Sequence, residues 1–297
     1  MSPAAVRGRV PARKVDATLL RRWPLPQPTD GGGKEARGRV LVVGGERELV
    51  GAVRLAGEAA LRAGAGKLQL AVAGAAAGAI AVAVPEARVI ALPEAASGRL
   101  TGNGARLPEL APRTDALVLG PGLETGAATR RLAARLLPRL AAPVVLDAGA
   151  IDLGLLRTWR RLGNPPRAIL TPHHGEMAAL LDCDAADVAA DPERLARDFA
   201  REWGLVVVLK GAVTWIASPD GRSFIHRGGS AGLGTSGSGD VLAGVVGGLC
   251  ARGAAPEQAA CWAVRAHARA GAALARRRGP LGFLAREIAG ELPALLG

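Results

Sequence analysis

The sequence predicts an α/β fold with one mostly parallel sheet covered by helices on both faces. Apolar, β-branched runs recur along the chain without the in-out alternation of a half-exposed strand, which is the pattern of strands buried on both sides. Segments with helical spacing separate them. Each run also ends in Gly, Asp, Thr or Lys, so the polar residues gather at the carboxyl ends of the strands. At 297 residues and 49% hydrophobic composition, the chain can bury the core of one large domain.

Residues 1–38, rich in Pro, Arg and Gly, read as an N-terminal arm, with Trp23 to Pro28 extended and Thr29 to Gly33 a flexible turn. The domain, residues 39–297, opens with a buried strand from Arg39 that ends in Gly44 and Gly45, followed by a helix over Ala52 to Ala63. After the turn Gly64 to Gly66 comes a strand over Lys67 to Ala73. Asp115 to Gly122 is a strand closing in Gly-Pro-Gly, with a helix over Ala127 to Leu140, and Pro143 to Gly149 is a strand with Asp147 at its carboxyl end. Arg167 to Glu176 runs from strand into a helix near Met177 to Leu181, and Leu205 to Gly211 is a further strand. Thr214 to His226 reads as a hairpin turning at Asp220 and Gly221, and helices after Asp240, including Pro256 to Arg278, close the domain.

No apolar run is long and unbroken enough to span a bilayer, and Met1 to Lys14 has no signal-peptide core, so a soluble, cytoplasmic protein is expected. Cys183, Cys250 and Cys261 form no CxxC pair and read as buried apolar residues rather than disulfide or zinc ligands. The net charge of +12 suits either nucleic acid or an anionic small molecule. The arginines are scattered along helices and there is no tyrosine for base stacking, which favours the small molecule.

The chemistry centres on Gly229 to Asp240. Glycines and small hydroxyl residues leave backbone N–H groups uncovered, and the apolar run from Val241 reads as a helix whose start points back at them, a site for an anion. Asp240 at its edge suits a base acting on a hydroxyl, although a linker followed by a capping aspartate has the same sequence. Lys210, one of four lysines, ends an apolar strand and is placed either to bind a phosphate or to reach solvent. Asp147 either meets a magnesium-bound phosphate through water or caps the next turn. His173 and Glu176 could begin a zinc site, but no third ligand follows by spacing, while His174 and His226 read as surface or hairpin residues. Neither a GxxxxGK[ST] string nor a GxGxxG after the first strand is present.

Taken together, Val42 to Gly45 with Gly51 and Ala52, Leu119 to Leu123, Leu146 to Gly149, Leu170 to Glu176, Leu209 to Thr214 and Thr235 to Gly244 resemble the ADP-dependent NAD(P)H-hydrate dehydratases of the ribokinase-like superfamily. The resemblance runs from about Gly38 to the C-terminus and implies a three-layer sandwich. It also implies dehydration of the S-form of hydrated NADH or NADPH, by phosphorylation of the ring hydroxyl from ADP and loss of phosphate. On this resemblance Asp240 is the base and the N–H groups of Gly237, Ser238 and Gly239 stabilise the moving phosphoryl. Ala52, Gly122, His173 and Asp240 contact the hydrate, and Lys210, Gly211, Ala212, Val213 and Thr214, with Gly239, hold the AMP part of ADP. Magnesium accompanies the nucleotide, with no direct protein ligand. A homo-oligomer, with a tetramer as the suggested state, and a separate epimerase for the R-hydrate are also implied.

Two departures stand out: Glu46 follows the glycine pair where a small residue is usual, and Ser238 stands where Thr is commoner. Rival readings are an ATP-dependent small-molecule alcohol kinase of the same fold and a non-catalytic nucleotide- or RNA-binding protein.

Overall fold

The computed structural model describes residues 11–27 and 33–297. The turn expected from Thr29 therefore lies, except for Gly33, outside the described residues. Ten strands form one sheet: β1 (Arg13–Lys14), β2 (Arg39–Val43), β3 (Lys67–Ala73), β4 (Ala87–Leu92), β5 (Ala116–Leu119), β6 (Val144–Leu146), β7 (Ala168–Leu170), β8 (Val206–Leu209), β9 (Val213–Ala217) and β10 (Ser223–Arg227). Their order is β1-β10-β9-β8-β7-β6-β5-β2-β3-β4, parallel from β8 to β4 and antiparallel across β8-β9-β10. The chain leaves β2 in one direction to β3 and β4, then returns to its other side for β5 to β8. The switch point of the sheet therefore lies between β2 and β5, where a ligand crevice is expected.

Strand periodicity sends alternate residues to opposite cores. Val40, Val42, Val118, Val145, Ile169 and Val208 pack under the helices Val50–Arg62, Ser238–Ala251, Pro256–Arg278 and Ala285–Glu291. Leu41, Val43, Leu117, Leu119, Leu146 and Leu170 face the helices Ala127–Leu136, Leu153–Arg160, His174–Leu181 and Pro192–Trp203. These are the three layers expected from the sequence, and burying each such side chain contributes roughly 1.5–3 kcal/mol before chain entropy is counted.

The local signals work as the chemistry dictates. Helix Pro192–Trp203 begins where the Asp191 carboxylate accepts from the Arg194 N–H and ends at Gly204, whose φ of 66° favours glycine. It buries Ala196, Phe199, Ala200 and Trp203 at helical spacing, and the Arg160 guanidinium lies 4.6 Å over the Trp203 ring.

Some elements were not read from the sequence. The Ala-rich stretch before Val84 holds a helix, Gly74–Ala83, beside the edge strand β4. That helix buries only Ile80 and leaves Val82 84% exposed. In the segment read as an arm, β1 pairs parallel with β10, the His226 Nδ1 donates to the Val15 carbonyl at 3.1 Å, and Leu20 and Leu25 enter the core. Trp23 stacks on Phe224, and its carbonyl accepts from Trp262 Nε1 at 2.8 Å. His226 lies in the hairpin as read but is buried, and Cys183 is exposed whereas Cys250 and Cys261 are buried.

One packing seam matters for the site. A Cβ on Gly244 would fall 2.0 Å from the Ala56 carbonyl oxygen, and one on Gly248 would fall 2.5 Å from that of Ala60. Helix Ser238–Ala251 thus lies against helix Val50–Arg62 at backbone contact, which only glycine permits. No helix among the described residues is long and apolar enough to cross a membrane.

Candidate active site

The strand ends converge at the carboxyl edge of the sheet. At the switch point, Gly45 N–H donates to the Pro121 carbonyl at 2.8 Å and Glu46 N–H to that of Gly122 at 2.9 Å. Gly120 has φ 123°, and a Cβ there would stand 1.7 Å from the Asp147 carbonyl oxygen, so the ends of β2, β5 and β6 touch through backbone alone. Ala52 packs over this turn, with its Cβ 3.2 Å from where a Cβ on Gly122 would lie.

Across the crevice the polar groups form a network. Asp147 is 2% exposed, and its Oδ1 accepts from the Thr171 hydroxyl at 2.6 Å and from Lys210 Nζ at 3.2 Å. Asp147 makes no side-chain cap, which sets aside the turn-capping reading. Lys210 is fixed at its backbone by the Pro172 carbonyl at 2.8 Å, and its Nζ lies 3.9 Å from Glu176 Oε2. That carboxylate accepts from the His173 N–H at 2.7 Å while His173 Nδ1 accepts from the Glu176 N–H at 3.1 Å, a capping box that starts helix His174–Leu181. His173 is therefore a helix cap whose ring stands at the crevice rather than half of a zinc site. Among the described residues there is no group of three or more His, Cys, Asp or Glu able to hold a metal. The carboxylates nearest the crevice, Asp147 and Glu176, are the groups that could meet a hard cation through water.

The Gly-rich string is a helix start. Ser238–Ala251 begins at Gly237, φ 87°, whose Cβ would meet Leu55 of helix Val50–Arg62. Ser238 N–H donates to the Thr235 carbonyl at 3.2 Å, whereas Gly237 and Gly239 N–H have no partner among the described residues. The donors left for an anion are therefore the two glycine amides, supported by the helix dipole. Lys210 Nζ lies 3.3 Å from where a Cβ on Gly239 would stand, so cation and helix start adjoin.

Electrostatics distinguish the two charged ends. Burial pulls the Lys210 ammonium down, but the carboxylates of Asp147, Glu176 and Asp240 together raise it, so it stays charged. Burial and then the Asp147 carboxylate push Asp240 up to about 7 against the opposing pull of Lys210. An aspartate poised near neutrality beside an anion site suits a general base.

The candidate site residues lie on this edge, in two groups joined through helix Val50–Arg62: Ala52 with Gly122, and His173, Asp147, Lys210, Gly239 and Asp240. Gly211 to Thr214 leave β8 as an open turn, with Thr214 Oγ1 3.5 Å from the Gly211 carbonyl. Sequence reasoning missed Thr171 as the partner of Asp147. His174, read as a surface or hairpin residue, instead has its Nε2 buried without a hydrogen bond against Gly211. Glu46, expected to make the first glycine loop more charged, is instead 6% exposed, and its Oε1 accepts from the Leu100 N–H at 3.2 Å. Arg47 pairs with Glu94 at 2.6 Å, so this loop is pinned to the chain at 94–100. A separate cavity of 620 Å³, bordered by Arg39, Lys67, Arg113, Glu86 and Glu109, opens at the amino end of the strands, away from these groups.

The chain is 50% identical over 284 residues to the ADP-dependent (S)-NAD(P)H-hydrate dehydratase of Xanthomonas campestris, covering 96% of each chain. It is 41% identical over 276 residues to the bifunctional NAD(P)H-hydrate repair enzyme of Moorella thermoacetica, of whose length it spans 52%. The ADP/ATP-dependent NAD(P)H-hydrate dehydratase of Bacillus subtilis, crystallised with ATP and Mg2+, superposes with a TM-score of 0.80 at 26% identity, covering 98% of both chains. The sandwich is that of the ribokinase-like proteins. Residues 40–294, which include every group at the crevice, match the NAD(P)H-hydrate dehydratase family, and the chain belongs to it.

Proposed function

We propose that this dehydratase uses ADP to dehydrate the S-form of hydrated NADH or NADPH, with Asp240 as the base that starts the reaction. The observation that carries the assignment of Asp240 is its position: it is half-buried at an uncapped helix start, with its carboxyl pushed up to about 7, next to Lys210. Asp240 takes the proton of the ring hydroxyl, and the hydroxyl oxygen bonds to the terminal phosphorus of ADP as the bond to AMP breaks. The amides of Gly237 and Gly239 stabilise the charge gathering on the phosphoryl oxygens. Phosphate, a far better leaving group than hydroxide, then departs with the C–O electron pair as the ring nitrogen donates its lone pair. Loss of a proton from the adjacent carbon restores the double bond, giving NAD(P)H, AMP and phosphate.

Lys210 to Thr214 hold the AMP part, and Ala52, Gly122 and His173 seat the hydrate. Magnesium, when bound, would neutralise phosphate charge, and Asp147 is the carboxylate that would hold it through water. The protein assembles as a homo-oligomer, a tetramer on family grounds, and the exposed apolar helix Gly74–Ala83 supports such an assembly.

The test is to incubate the protein with hydrated NADPH, ADP and Mg2+ and follow the absorbance of the reduced ring. Recovery of NADPH with one AMP per turnover is expected. A stable phosphorylated alcohol formed from ATP would instead assign an alcohol kinase, and nucleotide binding with no turnover would overturn the enzyme reading.

A further inference from the structure

The helix that carries Asp240 has little of its own to fix its first turn. No side chain caps it, Gly237 is left-handed, and glycines stand on both sides of Ser238. Phosphoryl transfer needs its donors within about half an ångström of their working positions. The fixing must therefore come from outside the turn.

His267, on helix Pro256–Arg278, reaches into it. Its Nε2 lies 3.0 Å from the Ser238 carbonyl oxygen and 3.1 Å from Ser238 Oγ. A carbonyl only accepts, so the network assigns the proton to Nε2, and the hydroxyl accepts from the same N–H. Burial pushes the imidazole down to about 4 against the bond to the Ser238 carbonyl, and Lys210 adds to the fall, so the ring is neutral and holds one tautomer. Ser238 Oγ has no other partner among the described residues. The mechanism above makes no use of this histidine.

We propose that His267 is a positioning residue for phosphoryl transfer: its Nε2–H ties Ser238 from behind and so aims the amides of Gly237 and Gly239 and the carboxylate of Asp240 at the reacting group. The proposal rests on reading Gly237 to Asp240 as the phosphoryl site. Its footprint differs from that of a merely structural histidine, because the β-phosphate, which ADP has and AMP lacks, is the group this turn is aimed at.

His267→Leu removes the donor, and His267→Gln restores an N–H near the place of Nε2. In His267→Leu, kcat is expected to fall roughly 10- to 100-fold, with the KM for the hydrate changing less than about threefold. The calorimetric affinity for ADP relative to AMP is expected to fall about tenfold, with AMP binding unchanged. His267→Gln is expected to recover most of both. Should the Leu variant not fold, His267→Asn, whose amide is too short to reach Ser238, takes its place. The proposal is overturned if the donor-less variant keeps the kcat and ADP-to-AMP ratio of the wild type, or if Gln performs no better. If the wild type fails to convert the hydrate, the functional reading falls alone, and the ADP-to-AMP ratio still decides the role of His267.

Discussion

Lys210 Nζ lies 3.2 Å from Asp147 Oδ1, a contact between residues 63 positions apart that joins the end of β8 to the end of β6. Asp147 is nearly sealed from solvent, whereas the Lys210 side chain keeps 20% exposure, so the cation is the member that a ligand can reach. Replacing Lys210 with Met strands a buried carboxylate, for which a loss of about 2 kcal/mol is expected in denaturant unfolding. The same change removes the charge that pulls Asp240 down. The acidic limb of kcat/KM is therefore expected to move above its wild-type position, and nucleotide affinity to fall roughly tenfold.

Asp240 must be ionised to accept a proton. With its carboxyl raised to about 7, kcat/KM is expected to climb as pH rises through that value and to level off above it. Asp240→Asn should lower turnover by roughly 10²- to 10⁴-fold while AMP still binds. A rate independent of pH between 5 and 9 would refute the assignment of the base.

The same residue carries a stability signature. Because the folded pKa lies above the unfolded one, the folded state binds the extra proton between about pH 4 and 7, so its contribution to stability is lost as pH rises through that window. Asp240→Asn should therefore match the wild type near pH 4 and be the more stable of the two at pH 8. Chemical denaturation at the two pH values measures the difference.

Two glycines at the edge are expected to fail in different ways. A Cβ on Gly120 meets the Asp147 carbonyl at 1.7 Å from a left-handed backbone, so Gly120→Ala should unfold the protein or destabilise it by about 3 kcal/mol or more. A Cβ on Gly239 meets only the tip of Lys210, at 3.3 Å. Gly239→Ala should keep its Tm within a few degrees yet bind ADP several-fold more weakly, as calorimetry would show.

Chelation of magnesium is expected to stop turnover without unfolding the chain. No protein cage for a metal exists among the described residues, so removing it should shift Tm by no more than about 1 °C.

The sheet was legible because strands buried on both faces need mostly apolar runs, which β2, β5, β6, β7 and β8 have and β3 has but for Gln69. β4 and helix Gly74–Ala83 were not, since Ala and Gly carry little periodic contrast and an edge strand exposes residues such as Arg88 and Ala91. The site residues were legible as polar breaks at strand ends and through the family resemblance. Their partners were not: Thr171 meets Asp147 and His267 meets Ser238 only because separate elements pack together, and no spacing rule predicts contacts made in that way. Glu46 looked like surface charge because its buried acceptor role depends on Leu100, far along the chain.

The glycine seam bears on how the protein is made. Gly244 and Gly248 dock on Ala56 and Ala60, so the helix bearing Asp240 has no seat of its own and must find one built from the opposite end of the sequence. A ribosome that has released β2 to β8 has exposed a nearly complete sheet with one face still lacking this helix. The growing chain thus carries an apolar surface in need of protection until late in synthesis, and the site stays incomplete until this helix, and then Pro256–Arg278 behind it, have docked.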